Sequence, residues 1–75
     1  MRAVYYVLLD ATKWKIIHGD NEYPYSTQAS AIKAAVDAAH LSGRSGHDAL
    51  VLIQDGDGNW QTKWAYGSDP YPSHG

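Results

Sequence analysis

The sequence predicts an α+β fold with the element order ββαββ, in which one helix packs on one face of a four-stranded antiparallel sheet. Two observations lead to this fold. One stretch, from Thr27 to Gly43, has a helical repeat of apolar residues and is rich in alanine. The segments around it are rich in β-branched and aromatic residues and are divided by turn-forming residues, which is typical of strands.

The two strands before the helix are predicted at residues 2–10 and 14–18. The first is apolar on both faces, whereas the second alternates, with Trp14 and Ile16 on the same side. We interpret residues 18–22 as a turn, and Tyr23-Pro-Tyr25 as the segment that leads into the helix.

The helix has recognisable residues at both ends. Thr27 can cap its first turn, and Gly43 stands where the chain is expected to leave the helix in a left-handed conformation. Its apolar stripe, spaced for one face of a helix, consists of Ile32, Ala35, Val36 and Ala39. A stripe that is half alanine lets the helix lie close to the sheet beneath it.

The two strands after the helix are predicted at residues 49–53 and 60–64, joined by a turn at Asp55-Gly-Asp-Gly-Asn59. The first of them is apolar on both faces. The second is amphipathic, with Trp60, Thr62 and Trp64 expected on one side.

The sheet order follows from these patterns. The two strands that are apolar on both faces should be central and the two amphipathic strands should be the edges, which gives the antiparallel order 2-1-3-4. Residues 1–66 then form a single domain, and residues 67–75 form a C-terminal tail that contains proline.

Length, charge and composition exclude several classes of protein. A chain of 75 residues without cysteine has one small core and neither disulfides nor thiolate metal sites. A net charge of −2 gives no general attraction to nucleic acid or to anionic lipid. The apolar N-terminal segment is too short for a signal peptide or a membrane span, so we expect a soluble cytoplasmic protein without membrane contact.

The sequence offers little support for a metal site or for catalysis. The segment that begins at Asp55 resembles the start of a calcium-binding loop, but Trp60 occupies the position that needs glycine, and Tyr66 stands where a glutamate would close the site. The four histidines lie on separate predicted elements and lack metal-ligand spacing. We therefore expect a protein without metal, cofactor or enzymatic activity.

Several segments together resemble a known family. They are the strand end Trp14-Lys15-Ile16, the alanine-rich helix from Thr27, the Leu-Val-Leu-Ile strand followed by Asp57-Gly58, and the ending Tyr66-Gly-Ser-Asp69-Pro70-Tyr71-Pro72. The chain resembles the small bacterial and phage family catalogued as domain of unknown function 2188. The resemblance extends over nearly the whole chain, supports the predicted fold and implies no catalytic residues.

A helix on one face leaves the other face of the sheet open. That face should carry either Tyr5, Val7 and Leu9 or Val4, Tyr6 and Leu8 from the first strand, with Leu50 and Leu52 or Val51 and Ile53 from the third. An apolar surface of this size is seldom left in water. The leading hypothesis is a non-enzymatic interaction module that pairs through this face with itself, as a homodimer, or with another protein.

The residues expected to contribute to this interaction surface are Tyr5, Val7, Lys15, Lys63, Tyr66, Asp69, Pro70 and Tyr71. The prolines stiffen the tail, so we expect Tyr71 and its prolines to pack on the apolar surface. The alternative hypothesis is a small nucleic-acid-binding domain that uses the same face, with Lys15 and Lys63 on phosphates and a tyrosine on a base.

Overall fold

The computed structural model describes residues 2–70, which form one helix and a five-stranded mixed sheet. In chain order the elements are β1 (Arg2–Asp10), β2 (Lys13–His18), β3 (Asn21–Tyr25), α1 (Gln28–Arg44), β4 (Asp48–Gln54) and β5 (Trp60–Ala65). The strands lie in the order β3-β2-β1-β4-β5. The predicted α+β class, with a helix packed on one face of the sheet, is confirmed.

The predicted four-stranded antiparallel sheet is wrong, because β3 was interpreted as a turn and a lead into the helix. β3 pairs antiparallel with β2, so that Tyr23 lies opposite Ile16. This strand reverses the chain once more before α1, and β4 therefore enters the sheet parallel to β1. The four predicted strands keep their expected neighbours, since β2, β1, β4 and β5 follow one another in the sheet.

Pro24 makes β3 difficult to recognise as a strand from the sequence. Proline has no N–H to donate to a neighbouring strand, so it argues against a central strand. β3 is an edge strand with a neighbour on one side only, and proline is tolerated in such a strand because it need not donate to a second neighbour. The addition of β3 also moves β2 from its predicted place at the edge to the interior of the sheet.

Two short loops connect the first three strands. Asp10 pairs with Lys13 across the first loop, and His18 pairs with Asn21 across the second. The first residue of each two-residue loop has a positive φ, which is 59° at Ala11 and 60° at Gly19. Two-residue hairpin loops favour glycine at such positions, so Gly19 suits its loop and Ala11 is strained.

The helix begins as predicted and ends later than predicted. The Thr27 hydroxyl accepts the backbone N–H of Ser30 at 3.1 Å, as expected for an N-cap. Gly43 does not end the helix, which continues to Arg44. The left-handed residue that follows the helix is Gly46, with φ of 98°.

The core lies between α1 and the central part of the sheet. Val7 of β1 and Val51 of β4 are fully buried, as are Ala31, Ala35 and Ala39 of α1. Ile32, which was predicted in the apolar stripe, is only partly buried, and Ala31 takes its place beside Ala35, Val36 and Ala39 in the buried stripe. Burial of the two valines should contribute about 1.5–3 kcal/mol each to the free energy of unfolding.

Candidate interaction surface

The sheet face opposite α1 carries a continuous apolar surface, which we call the open face. Tyr5 and Val7 of β1 lie in the core, so the alternate residues of that strand point to the other side of the sheet. The strand register places residues of β2, β4 and β5 beside them. The open face consists of Val4, Tyr6, Leu8, Ile17, Leu50, Leu52 and Trp60.

Two aromatic side chains are the most exposed members of the open face. Tyr6 is 36% exposed and Trp60 is 43% exposed. Their rings meet edge to face, with centroids 5.2 Å apart and an interplanar angle of 76°. This arrangement is favourable for aromatic pairs, and it presents a large preformed apolar area to a partner.

Lys15 lies on the same side of the sheet, at the margin of the open face. It pairs with Leu8, and its ammonium group donates hydrogen bonds to Glu22 at 2.9 Å and to Asp10 at 3.0 Å. The hydrogen bonds to Glu22 and then to Asp10 raise the pKa of Lys15 above its ordinary value, against a smaller opposing effect of burial. Two carboxylates therefore compensate the charge of this lysine.

Tyr5 and Val7 were predicted on the interaction surface, and the structure places both under the helix. Tyr5 is 8% exposed and Val7 is fully buried. The Tyr5 hydroxyl is hydrogen-bonded to the hydroxyl of Ser42 in α1 at 2.8 Å. Strand alternation allows only one set of β1 residues on each face, so the other set, Val4, Tyr6 and Leu8, forms the open face.

The sequence contains a pattern that indicates which alternate set of β1 residues faces the helix. Ala3 and Ala49 belong to the same alternating sets as Tyr5 and Val51, and the two alanines lie opposite each other in the parallel pair β1 and β4. Small residues in both central strands permit the close approach of an alanine-rich helix. The larger side chains of Leu8, Leu50 and Leu52 then fall on the open face.

Lys63 was predicted to share a face with Lys15, but a bulge in β5 separates the two. Val51 pairs with Trp64 and Leu52 pairs with Thr62, so Lys63 is the additional residue. Lys63 lines a groove with Ile32 and other residues of α1, on the helix side of the sheet. The bulge also separates the two tryptophans of β5, which were predicted on one side: Trp64 is buried, and Trp60 lies on the open face.

Tyr66, Asp69 and Pro70 form a closed turn at the end of β5. The Asp69 carboxylate accepts the backbone N–H of Ala65 at 2.9 Å, and the Asp69 N–H donates to the Ala65 carbonyl at the same distance. The Trp64 indole N–H donates to the Pro70 carbonyl at 3.0 Å. These bonds hold the turn beside Trp64, away from the open face. The prediction that Tyr71 packs on the apolar surface concerns a residue outside the described range.

The Asp55 carboxylate serves the turn between β4 and β5. Its Oδ1 accepts the backbone N–H groups of Asp57 at 2.9 Å and of Asn59 at 3.0 Å, and its Oδ2 accepts the side-chain amide of Gln61 at 3.2 Å. Across residues 2–70, no group of three or more potential metal ligands comes together. In the segment that resembled the start of a calcium-binding loop, the Asp55 carboxylate therefore holds the turn through hydrogen bonds.

The described part of the chain has no helix that is both long enough and apolar enough to cross a membrane.

The chain matches a known protein family over most of its length. The model of a family described as an uncharacterized protein conserved in bacteria, domain of unknown function 2188, matches residues 5–66. No curated protein and no solved structure matches the chain significantly.

Proposed function

This chain belongs to the bacterial family of domain of unknown function 2188, and we propose that it is a protein-interaction module whose open face packs against the same face of a second copy. The observation that carries the proposal is the exposed apolar surface around Tyr6 and Trp60. Contiguous apolar surfaces of this kind mark interaction sites in proteins that fold in water.

The edges of the sheet favour association through the face. Pro24 lies in the edge strand β3, and the other edge strand, β5, has the bulge at Lys63. Proline, lysine and bulges at an edge all oppose the addition of a further strand. A second copy that avoids both edges meets the sheet on its open face, where two sheets pack about 10 Å apart.

The distribution of polarity on the open face also fits a protein interface. The exposed rings of Tyr6 and Trp60 lie among aliphatic side chains. Lys15 and the carboxylates that it pairs with, those of Asp10 and Glu22, lie at the margin. Interfaces between proteins have such an apolar centre with aromatic residues and a charged rim. A two-fold dimer uses the same patch on both copies, so one open face is sufficient to form it.

The nucleic-acid alternative has less support from the described residues. Lys15 is engaged by Asp10 and Glu22, and Lys63 lies on the helix side. A strand of nucleic acid on the open face would then meet only one of the two lysines expected to contact phosphates. Phosphate contacts are the main source of affinity for nucleic acids, so their loss weakens this hypothesis.

The solution mass tests the proposal. We expect the wild-type protein to pass from monomer to dimer in sedimentation and light scattering over about 1 μM to 1 mM, the range of weak to moderate affinities. Trp60→Lys should shift this equilibrium strongly toward monomer, because it places a charge within the packed sheets. Leu41→Lys is the matched control, since Leu41 is an exposed apolar residue of α1 and its change should leave the equilibrium unaltered.

Two outcomes would contradict the dimer. The first is a wild-type protein that stays monomeric over the whole range, and the second is a dimer that Leu41→Lys disrupts and Trp60→Lys does not. Titration with single-stranded and double-stranded DNA at increasing salt tests the alternative. Saturable binding that weakens steeply with salt would favour nucleic acid as the partner.

A further inference from the structure

A concave region lies on the helix side of the sheet, away from the open face. It is a cleft of about 290 Å³ between α1 and the strands β2 and β3. Four rings line it, those of Tyr5, His18, Tyr23 and Tyr25, and the helix contributes Ala34 and Ala38. The cleft exists because the helix presents only small residues to the tyrosines of the edge strand.

The inner wall of the cleft is held in a fixed orientation. The rings of Tyr5 and His18 are stacked, with centroids 4.1 Å apart and an interplanar angle of 11°. The Tyr5 hydroxyl is bonded to Ser42, and His18 Nδ1 donates to the Val4 carbonyl at 3.2 Å. Because both rings are fixed before any ligand arrives, binding against them would require little additional ordering.

The outer wall is more accessible. Tyr23 is 46% exposed, and it stands in the edge strand at the side of the cleft. Tyrosine rings offer flat apolar faces together with hydroxyl groups that donate or accept hydrogen bonds. Since Nδ1 of His18 is engaged by Val4, the ring nitrogen that remains for a ligand is Nε2.

We propose that this cleft binds a small, uncharged, planar heteroaromatic ligand. Its volume is near the lower end of the range for small-molecule sites, which suits one ring or two fused rings. Aromatic side chains stack well on flat rings, and the hydroxyl groups and Nε2 can bond to ring nitrogens or exocyclic groups. An uncharged ligand is favoured over a cation because the described residues that line the cleft include no carboxylate to balance a positive charge.

Two-dimensional NMR titrations with indole and with adenosine test the proposal. We expect saturable shifts for at least one probe, centred on Ala34, Ala38, Tyr23 and His18. Ala38→Leu should weaken that binding about tenfold or more, because the larger side chain fills the cleft, and Tyr23→Ala should do so by removing one wall. Leu9→Ala is the control, since it removes an exposed apolar side chain that neither lines the cleft nor belongs to the open face, and it should leave the affinity unchanged.

The thermal unfolding midpoint of each variant shows whether it is folded. Shifts that do not saturate with either probe, or that are spread over the open face, would overturn the proposal. So would binding that the folded Ala38→Leu and Tyr23→Ala variants retain at wild-type affinity. Because the cleft and the open face are on opposite sides of the sheet, either proposal can fail without the other.

Discussion

The ring of Tyr66 lies directly against Gly43, at a position in α1 where a Cβ would overlap the ring atoms. His40 and Trp64 flank the same ring, with centroid distances of 5.7 Å and 6.1 Å. The contact fastens the end of β5 to the last turns of the helix. Gly43 is therefore needed so that the Tyr66 ring can approach the helix backbone closely. Contrary to the prediction, it does not end the helix, because α1 continues to Arg44.

This contact predicts an effect of Gly43→Ala that is opposite to the usual one. Within a helix the exchange ordinarily stabilises by about 0.5–1 kcal/mol. Here the added Cβ meets the part of the Tyr66 ring nearest the backbone, so we expect a loss of about 1–3 kcal/mol in the free energy of unfolding, as for other overpacked sites. Urea denaturation measures this change.

The same substitution made in a Tyr66→Ala background provides the control. Without the ring, the added methyl group has space, and Gly43→Ala should then stabilise the helix by the ordinary amount of about 0.5–1 kcal/mol. A change of equal sign and size in both backgrounds would show that the ring contact is energetically unimportant.

The loop between β1 and β2 predicts a stabilising substitution. Ala11 has a φ of 59°, a conformation that costs a residue with a side chain about 1 kcal/mol and costs glycine very little. Ala11→Gly should therefore raise the free energy of unfolding by roughly 0.5–1 kcal/mol, as measured by urea or thermal denaturation. Gly19→Ala, in the corresponding position of the next loop, should lower it by a similar amount.

Because the Asp69 carboxylate accepts a backbone hydrogen bond, we expect Asp69→Ala and Asp69→Asn to differ in their effect on the free energy of unfolding. Asp69→Ala removes the acceptor for the Ala65 N–H and should cost about 1 kcal/mol, a typical value for one hydrogen bond in a partly exposed place. Asp69→Asn keeps an oxygen acceptor and should cost less. Denaturation curves followed by tryptophan fluorescence report both changes, and equal losses for the two variants would argue against the role of this bond.

The environment of Lys15 predicts a dependence on pH. Its pKa is raised in the folded protein by Glu22 and Asp10, so its ion pairs contribute fully below the pKa of the unfolded chain. The contribution is lost as the pH rises through the higher pKa of the folded protein. An NMR titration of the Lys15 side chain should show the raised midpoint, and Glu22→Gln should lower that midpoint more than Asp10→Asn does.

The sequence by itself determined the class of the fold. The alanine-rich stripe with Val36 and the cap at Thr27 predicted one helix, and the alternating or fully apolar runs predicted four of the five strands and their neighbours. These features depend on local propensity and on the period of the apolar pattern, which are properties of short segments. The resemblance also identified the family, although residues 67–72 of the ending that contributed to it lie outside the matched residues 5–66.

Only the tertiary structure decided the direction of β4, the face on which each residue lies and the end of the helix. A strand of five residues with Pro24 becomes stable only by pairing with β2, and that pairing reverses the chain and makes β4 parallel to β1. Tyr5 and Tyr6 are equally suitable for either face until a helix covers one of them. Gly43 lies inside the helix, where Tyr66, distant in sequence, packs against it, so the glycine serves a long-range contact that the local sequence does not reveal.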